Sequence, residues 1–295
     1  MIQQIDESRS NVLINQQINK IINLINLGDF QDALMLGRSL EESSEKNPNV
    51  FSIMGMLTLK LGAYEDAVRY HKKVVEIRPN CALSCYNLAN SLNLTGQQEA
   101  AISNYKKAIR NKRDYADAYY ALGNVYSSVG NYKKAVKCYN EALRIQPEWA
   151  VAHNNLGTAF TKLGRQDEAI DSYYRATRIK PDYSQAYHNL AVILNICGKN
   201  EQAINICLKS IKINPSFVDA YYNLGVIFGA LGRNEEAKRA LEKALSYNPL
   251  DANALFTMAN VLALVGDGAN LKKVREALEM VDPQGVAERK CNMAC

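Results

Sequence analysis

Small and apolar residues recur along the chain with a period of 34 residues. A glycine follows an apolar run at eight evenly spaced positions: Gly28, Gly62, Gly96, Gly130, Gly164, Gly198, Gly232 and Gly266. In seven of the eight repeats a small residue lies seven positions earlier: Gly55, Ala89, Gly123, Gly157, Ala191, Gly225 and Ala259. Proline recurs on the same period at Pro79, Pro147, Pro181, Pro215, Pro249 and Pro283. Self-similarity at this period predicts a tandem array of helical repeats.

Within each repeat the apolar spacing is that of two helices. Positions three or four apart share one face of a first helix and then of a second, with the glycine expected to end the first helix in a left-handed conformation. Asp167, Glu201 and Glu235 are predicted to begin second helices, where the helix dipole favours negative charge. The polar residue that follows the proline position is predicted to cap the next first helix, at Asn80, Asp114, Asp182 and Ser216.

The period also predicts the domain boundaries. Residues 1–13 form an N-terminal lead-in and residues 286–295 a C-terminal tail. The eight repeats are 14–47, 48–81, 82–115, 116–149, 150–183, 184–217, 218–251 and 252–285. The first repeat has Ile21 where a small residue is expected, which favours an end cap. The last repeat has Arg275 at a packing position, so its second helix is expected to pack differently. The start methionine and this end cap favour a complete chain.

The segment Ala118–Tyr139, AYYALGNVYSSVGNYKKAVKCY, resembles the tetratricopeptide repeat family, and so does Ala152–Tyr173. The resemblance extends over residues 14–285. It implies an all-α fold, a right-handed superhelical solenoid of tandem helix–turn–helix repeats, with a concave face lined by the first helices. It says little about function, because the family is defined by its packing positions.

Given that arrangement, the first helices carry an amide-rich and aromatic surface. The candidate peptide-binding residues are Asn87, Asn155, Asn189 and Asn223, with Tyr86, Tyr120, Asn154, His188, Tyr222, Asn90 and Asn124 beside them. Asparagine is a poor helix former, so its repetition on helices needs a reason. One side-chain amide can pair with a peptide N–H and C=O together. The sequence therefore predicts a scaffold or adaptor that binds an extended polypeptide.

The middle repeats, with AHNNLG, AYHNLA and AYYNLG, also resemble the repeat region of O-linked N-acetylglucosamine transferases. That resemblance implies an asparagine ladder that grips a peptide backbone. The transferase's catalytic domain has no counterpart in this chain. An alternative remains open, in which each asparagine bonds the neighbouring helix and serves packing alone.

Composition narrows the function further. The first residues are too polar for a secretory signal, and no apolar run is long enough to cross a membrane. Seven cysteines in such a chain are expected to be reduced, and none has zinc-site spacing. We therefore predict no metal, no cofactor and no catalytic activity, with a cytoplasmic location and the nucleus as an alternative.

Two other functions stay open on the sequence. The unsealed last repeat could stack on a second copy or on a larger assembly. The outer face of residues 100–145 is basic, at Lys106, Lys107, Arg110, Lys112, Arg113, Lys133, Lys134 and Lys137. Such a face could bind an acidic partner, a membrane surface or RNA. Because aromatic residues do not interleave with these cations, we do not expect nucleic acid to be a partner.

Overall fold

A computed structural model describes residues 2–43 and 47–281, which form sixteen α-helices and no strand. The helices are α1 Ile2–Leu27, α2 Phe30–Ser43, α3 Pro48–Lys60, α4 Tyr64–Ile77, α5 Ala82–Leu94, α6 Gln98–Asn111, α7 Ala116–Ser128, α8 Tyr132–Ile145, α9 Ala150–Lys162, α10 Gln166–Ile179, α11 Ser184–Ile196, α12 Asn200–Ile213, α13 Val218–Ala230, α14 Asn234–Tyr247, α15 Ala252–Val265 and α16 Gly268–Val281. Within these ranges no helix combines the length and apolarity needed to cross a membrane. The predicted all-α repeat fold is confirmed.

The chain divides into two compact parts, an N-terminal half of residues 1–147 and a C-terminal half of residues 148–295. In each half, the first helix of a repeat packs on the second helix of the same repeat. That second helix also packs on the first helix of the following repeat, and several pairs of neighbouring first helices contact one another. Each half is therefore a stack in which a repeat touches its neighbours, as expected of a helical repeat array.

The helices begin where the period places the repeats. First helices start at residues 48, 82, 116, 150, 184, 218 and 252, the predicted repeat starts. The N-terminal lead-in proves to be helical, because α1 runs without interruption from Ile2 to Leu27. The end of the last repeat, with Pro283, and the tail 286–295 with its two cysteines lie outside the described residues.

The glycines end the first helices in the predicted way. All eight have positive φ, from 71° at Gly232 to 89° at Gly28, a conformation in which a side chain is strained. The acidic residues predicted for second helices lie in their first turns. Arg113 follows α6 at the place where Pro147, Pro181 and Pro215 follow α8, α10 and α12. Even so, α6 has 14 residues, as α8 does. The missing proline therefore leaves the helix length unchanged.

The predicted capping of the first helices is wrong. Four first helices have their N-cap one residue after the predicted one, at Cys81, Tyr115, Tyr183 and Phe217 rather than at Asn80, Asp114, Asp182 and Ser216. None of these four N-cap residues forms a side-chain cap hydrogen bond. The preceding turn explains Ser216, because its backbone N–H and its hydroxyl both donate to Asn214 Oδ1. The helix instead begins with backbone bonds, such as Ala220 N to Phe217 O at 3.1 Å.

In several repeats the core depends on one small residue facing one large residue. A Cβ added at Gly157 would lie 2.7 Å from Tyr173 Cε1, and one added at Gly225 would lie 2.5 Å from Leu241 Cγ. Gly123 faces Tyr139 in the same way. These distances are too short for any real Cβ, so the two helices approach as closely as glycine allows.

The two end repeats depart from this pairing. In the first repeat the sizes are reversed, since Ile21 is fully buried on α1 and Gly37 on α2 leaves room for Met54. In the last repeat Arg275 is exposed at the place where Tyr139 and Tyr173 are buried, while Leu278 supplies the buried contact of α16. The departures noted in the sequence therefore correspond to different packing at the ends.

Gly157→Leu tests this contact, with Gly229→Leu as its matched control. A Cβ at Gly229 would meet only Val261 Cγ2 at an ordinary 3.8 Å, and Leu59 occupies the equivalent place in α3. We expect Gly157→Leu to lower the free energy of unfolding by about 1–3 kcal/mol through overpacking, and Gly229→Leu to leave it nearly unchanged. Urea unfolding followed by circular dichroism measures both, and equal effects would contradict the proposed constraint.

Candidate functional site

The eleven predicted site residues lie on first helices in both halves. The N-terminal site residues are Tyr86, Asn87 and Asn90 on α5 and Tyr120 and Asn124 on α7. The C-terminal site residues are Asn154 and Asn155 on α9, His188 and Asn189 on α11, and Tyr222 and Asn223 on α13. Within each half the helices that carry them contact one another. The structure therefore brings together two sets, each on adjacent first helices.

The N-terminal aromatic residues pack on other rings. The Tyr86 ring lies 5.9 Å from the Tyr105 ring and 5.1 Å from the Tyr115 ring. Tyr120 lies 5.9 Å from Tyr139. Burial and the neighbouring Tyr86 raise the pKa of Tyr115 to about 12, so its hydroxyl stays protonated at neutral pH. Tyr86, Tyr115 and Tyr120 are partly exposed, while Tyr105 and Tyr139 beneath them are buried.

Two of the N-terminal amides bond the buried tyrosines of their own repeat. The Tyr105 hydroxyl donates to Asn90 Oδ1 at 2.5 Å, and the Tyr139 hydroxyl donates to Asn124 Oδ1 at 2.8 Å. In the C-terminal half Thr158 occupies the same place and lies 3.2 Å from the Tyr173 hydroxyl. Each bond joins a first helix to its second helix, so these amides have a packing role. A further role in peptide binding stays a prediction.

Asn87 differs from the other amides. Its half-buried side chain forms no hydrogen bond with any described residue, while its backbone carbonyl accepts from Ser91 Oγ at 3.1 Å. Ser91 Oγ in turn lies 2.8 Å from His71 Nδ1. Because the serine proton goes to the Asn87 carbonyl, the histidine donates from Nδ1. The Asn87 amide therefore keeps its donors and its acceptor available to a ligand.

In the C-terminal half the amides bond one another across helices. Asn189 Nδ2 on α11 donates to Asn154 Oδ1 on α9 at 2.9 Å, and Asn189 Oδ1 accepts from Gln185 Nε2 at 3.2 Å. Asn154 Nδ2 donates to Asn155 Oδ1 at 3.4 Å. Asn154 is buried, at 5% exposure, although the sequence placed it on an exposed face. This network fixes the side chains and joins the two helices.

His188 and Asn223 form the next link of the same kind. Asn223 is 7% exposed, and its Nδ2 lies 2.9 Å from His188 Nδ1. An amide nitrogen can only donate, so His188 Nδ1 accepts and the imidazole is neutral. Burial lowers the pKa of His188, while Asp219 acts in the opposite direction. Asn189 and Asn223 thus each bond the preceding first helix, as the packing interpretation of these asparagines requires.

Sequence reasoning missed the aromatic residues at the N-caps of first helices. Tyr115, Trp149, Tyr183 and Phe217 recur every 34 residues immediately before α7, α9, α11 and α13. Phe217 packs edge-on to His188 with ring centroids 6.1 Å apart, much as Tyr115 packs on Tyr86. The period alone would have revealed them. Tyr115 and Phe217 thus each place an aromatic ring against a site residue, Tyr86 and His188 respectively.

The two sets offer binding chemistry without an evident reactive group. The polar groups are amides, hydroxyls and a neutral imidazole. Apolar side chains follow in the C-terminal half, where Ile196 is 58% and Leu264 is 70% exposed. No cluster of three metal-ligating side chains occurs among the described residues. The groups of both sets can form hydrogen bonds and apolar contacts without forming ion pairs.

The fold and this surface define a helical-repeat protein whose first helices present a neutral polar and aromatic face. Models of the tetratricopeptide repeat match residues 114–182 and 218–249, and a TPR repeat model matches residues 89–130 and 193–232. The chain belongs to the tetratricopeptide repeat family.

Solved structures of the same family are similar to this chain. YrrB, reported as a TPR protein with an unusual peptide-binding site, is 29% identical; the match covers 63% of this chain and 96% of YrrB, with a TM-score of 0.56. MamA is 26% identical over 58% of this chain and 94% of its own, with a TM-score of 0.54.

The C-terminal part of a TPR repeat-containing protein from Cytophaga hutchinsonii is 16% identical, with a TM-score of 0.68. The match covers 82% of this chain and 99% of that one. At this identity the likeness concerns the fold alone. No curated protein sequence matches the chain. The resemblance to the glycosyltransferase repeat region stays a prediction.

The bonding pattern predicts that Asn189 and Asn87 differ in their contribution to stability. Asn189→Ala removes the donor to Asn154 Oδ1, which is buried, so we expect the free energy of unfolding to fall by about 1–2 kcal/mol. Asn87→Ala removes no side-chain hydrogen bond to a described residue and should change it by less than about 0.5 kcal/mol. Urea unfolding of both variants tests this. A larger cost at Asn87 would show that the hydrogen bonds have been wrongly assigned.

His71 predicts a pH dependence of stability. It is 1% exposed, and burial lowers its pKa from 6.5 to about 4. The unfolded chain therefore binds a proton between these pH values that the folded chain does not. The free energy of unfolding should therefore be unaffected by His71 protonation above pH 6.5. It should fall by roughly 3 kcal/mol as the pH drops to about 4.

His71→Leu isolates this effect, because Leu241 fills the equivalent place opposite Gly225. Urea unfolding of both proteins across this pH range gives a difference curve in which the common carboxylate titrations cancel. A difference that does not change with pH would contradict the assignment to His71.

Proposed function

We propose that the chain is a non-catalytic protein-interaction scaffold that binds an extended peptide segment along the first helices of its repeats. The observation that carries the proposal is the neutral surface of amides and rings, which is largely held in place by internal hydrogen bonds. A surface organised before binding loses little side-chain entropy when a ligand arrives. The peptide-binding site reported for YrrB, which is 29% identical, supports this choice of ligand.

We divide the proposed roles among the site residues according to their hydrogen bonds. Asn87 and Asn155 would bond the peptide backbone. Tyr86, Tyr120 and Tyr222 would contact its side chains, since tyrosine offers contact area and a hydroxyl at low entropic cost. Asn189 and Asn223 would mainly position their neighbours, although each amide nitrogen has a second hydrogen that the internal bond does not use.

The absence of formal charge on these residues indicates the kind of peptide. Asp117 and Asp219 are the acidic residues in the first turns of α7 and α13, while the amides and rings between them are neutral. A peptide with uncharged polar and small apolar side chains would lose little solvation energy on binding. A strongly charged one would lose more without compensating ion pairs.

The test is a selection of random peptides displayed on phage, followed by titration of the selected peptides. The groove variant combines Asn87→Ala and Asn155→Ala, one residue from each half. Its matched control combines Asn140→Ala and Asn205→Ala, two exposed asparagines on the second helices α8 and α12. We expect the groove variant to weaken the binding of a peptide selected on either half by about three- to tenfold, through the hydrogen bond lost in that half.

Circular dichroism and urea unfolding confirm that both variants remain folded. Equal affinity of the intact chain, the groove variant and the control would contradict the proposed site. Light scattering on the same samples examines the alternative of self-association through the last repeat. Leu264 and Met280, at 70% and 80% exposure, are the apolar side chains of that repeat that a second copy could cover.

A further inference from the structure

The chain's positive charge is concentrated on two second helices. The helices α6 and α8 carry seven cations, Lys106, Lys107, Arg110, Lys133, Lys134, Lys137 and Arg144, against the two carboxylates Glu99 and Glu141. This surplus equals the formal net charge of the whole chain, +5. The rest of the sequence is therefore balanced, and the charge is a local property of this surface.

Nearly all of these cations lack an acidic partner. Arg144 pairs with Glu141 at 2.9 Å, whereas the other six form no ion pair with a described residue. All six side chains are exposed. Some cations elsewhere on second helices and the turns before them do pair, for example Arg233 with Glu236 and Lys238 with Asp267. The six cations repel one another, and solvent counter-ions alone offset that repulsion.

The cations lie on two second helices of the same half. On each helix they follow the same spacing, with two adjacent residues and a third one turn later, which places them on one side of the helix. Both helices pack on α7, and Lys106 lies close enough to the Cys138 thiol on α8 to lower its pKa, although burial raises that pKa overall to about 11. We call the set Lys106, Lys107, Arg110, Lys133, Lys134 and Lys137 the basic patch.

The composition of the basic patch distinguishes between polyanions. No large exposed apolar side chain lies on α6 or α8, so neither helix offers the apolar face that would insert into a bilayer. The exposed face has no aromatic ring on which single-stranded bases could stack. Lysine outnumbers arginine, whereas bidentate phosphate recognition favours arginine. What remains is complementarity to carboxylates.

We infer that the basic patch on α6 and α8 is a second docking surface, which binds an acidic polypeptide segment rich in Asp and Glu. It lies on second helices, whereas the proposed peptide-binding residues lie on first helices. Binding at the two surfaces therefore uses different residues. A scaffold built in this way holds a neutral peptide on one face and an acidic one on the other.

The test titrates the full chain with a short fluorescein-labelled polyglutamate peptide. The patch variant combines Lys107→Glu, Arg110→Glu, Lys133→Glu and Lys137→Glu. It leaves Lys134 in place because its ammonium lies over the Tyr126 ring. The matched control combines Arg175→Glu, Arg178→Glu, Lys209→Glu and Lys212→Glu, which are exposed on α10 and α12. Both variants have the same net charge.

We expect the patch variant to bind polyglutamate at least about tenfold more weakly than the intact chain. The control should stay within about twofold, and binding should weaken as salt increases. Equal losses in both variants would overturn the proposal, because they would reflect net charge alone. Tighter binding of the intact chain to phosphatidylserine vesicles or duplex RNA than to polyglutamate would overturn it in favour of those partners. Unchanged binding of the groove variant Asn87→Ala with Asn155→Ala keeps this result separate from the groove.

Discussion

The close approach of the two helices within each repeat is the constraint on which the rest of the structure depends. It requires a glycine or alanine on one helix and a bulky residue opposite, as at Gly157 and Tyr173. The first repeat departs from this pairing, because Ile21 is buried at the small position and Gly37, at the large position, faces Met54 of the next repeat. The large position accepts tyrosine, leucine or histidine, whereas the sixth repeat has the smaller Cys207 buried there.

The choice of tyrosine at that position extends the constraint to the site. A buried hydroxyl needs a hydrogen-bond partner, and the side chain within reach is that of a residue on the first helix. Asn90 and Asn124 serve Tyr105 and Tyr139, while Thr158 serves Tyr173. Part of the amide pattern on the first helices therefore follows from the core. The amides that the core does not require, above all Asn87, carry more information about a ligand.

The starts of most first helices, the glycine turns and the helix packing could be predicted from the sequence, because each follows from a residue recurring with one period. The sequence did not predict the N-caps of the first helices, as Ser216 illustrates. This residue lies one position before the N-cap, and its N–H and hydroxyl donate to Asn214 Oδ1 in the preceding turn. The sequence placed Asn154 and Asn223 on an exposed face, but both are buried. Periodicity gives the face of an isolated helix, whereas burial depends on the contact with the next first helix. The bond from Asn189 to Asn154 could not have been foreseen from spacing alone.

Packing restricts the side chains on the first helices more than those on the exposed side of the second helices. The residue types on the less restricted face therefore carry more information about binding partners. A first helix contacts its own second helix and neighbouring first helices, so its side chains are restricted by several partners. The exposed side of a second helix has no such restriction, and a balanced mixture of charges would serve solubility equally well. A surplus of cations limited to α6 and α8 is therefore not a consequence of the fold. It is a property of the surface itself, and complementarity to an acidic partner gives it a physical reason.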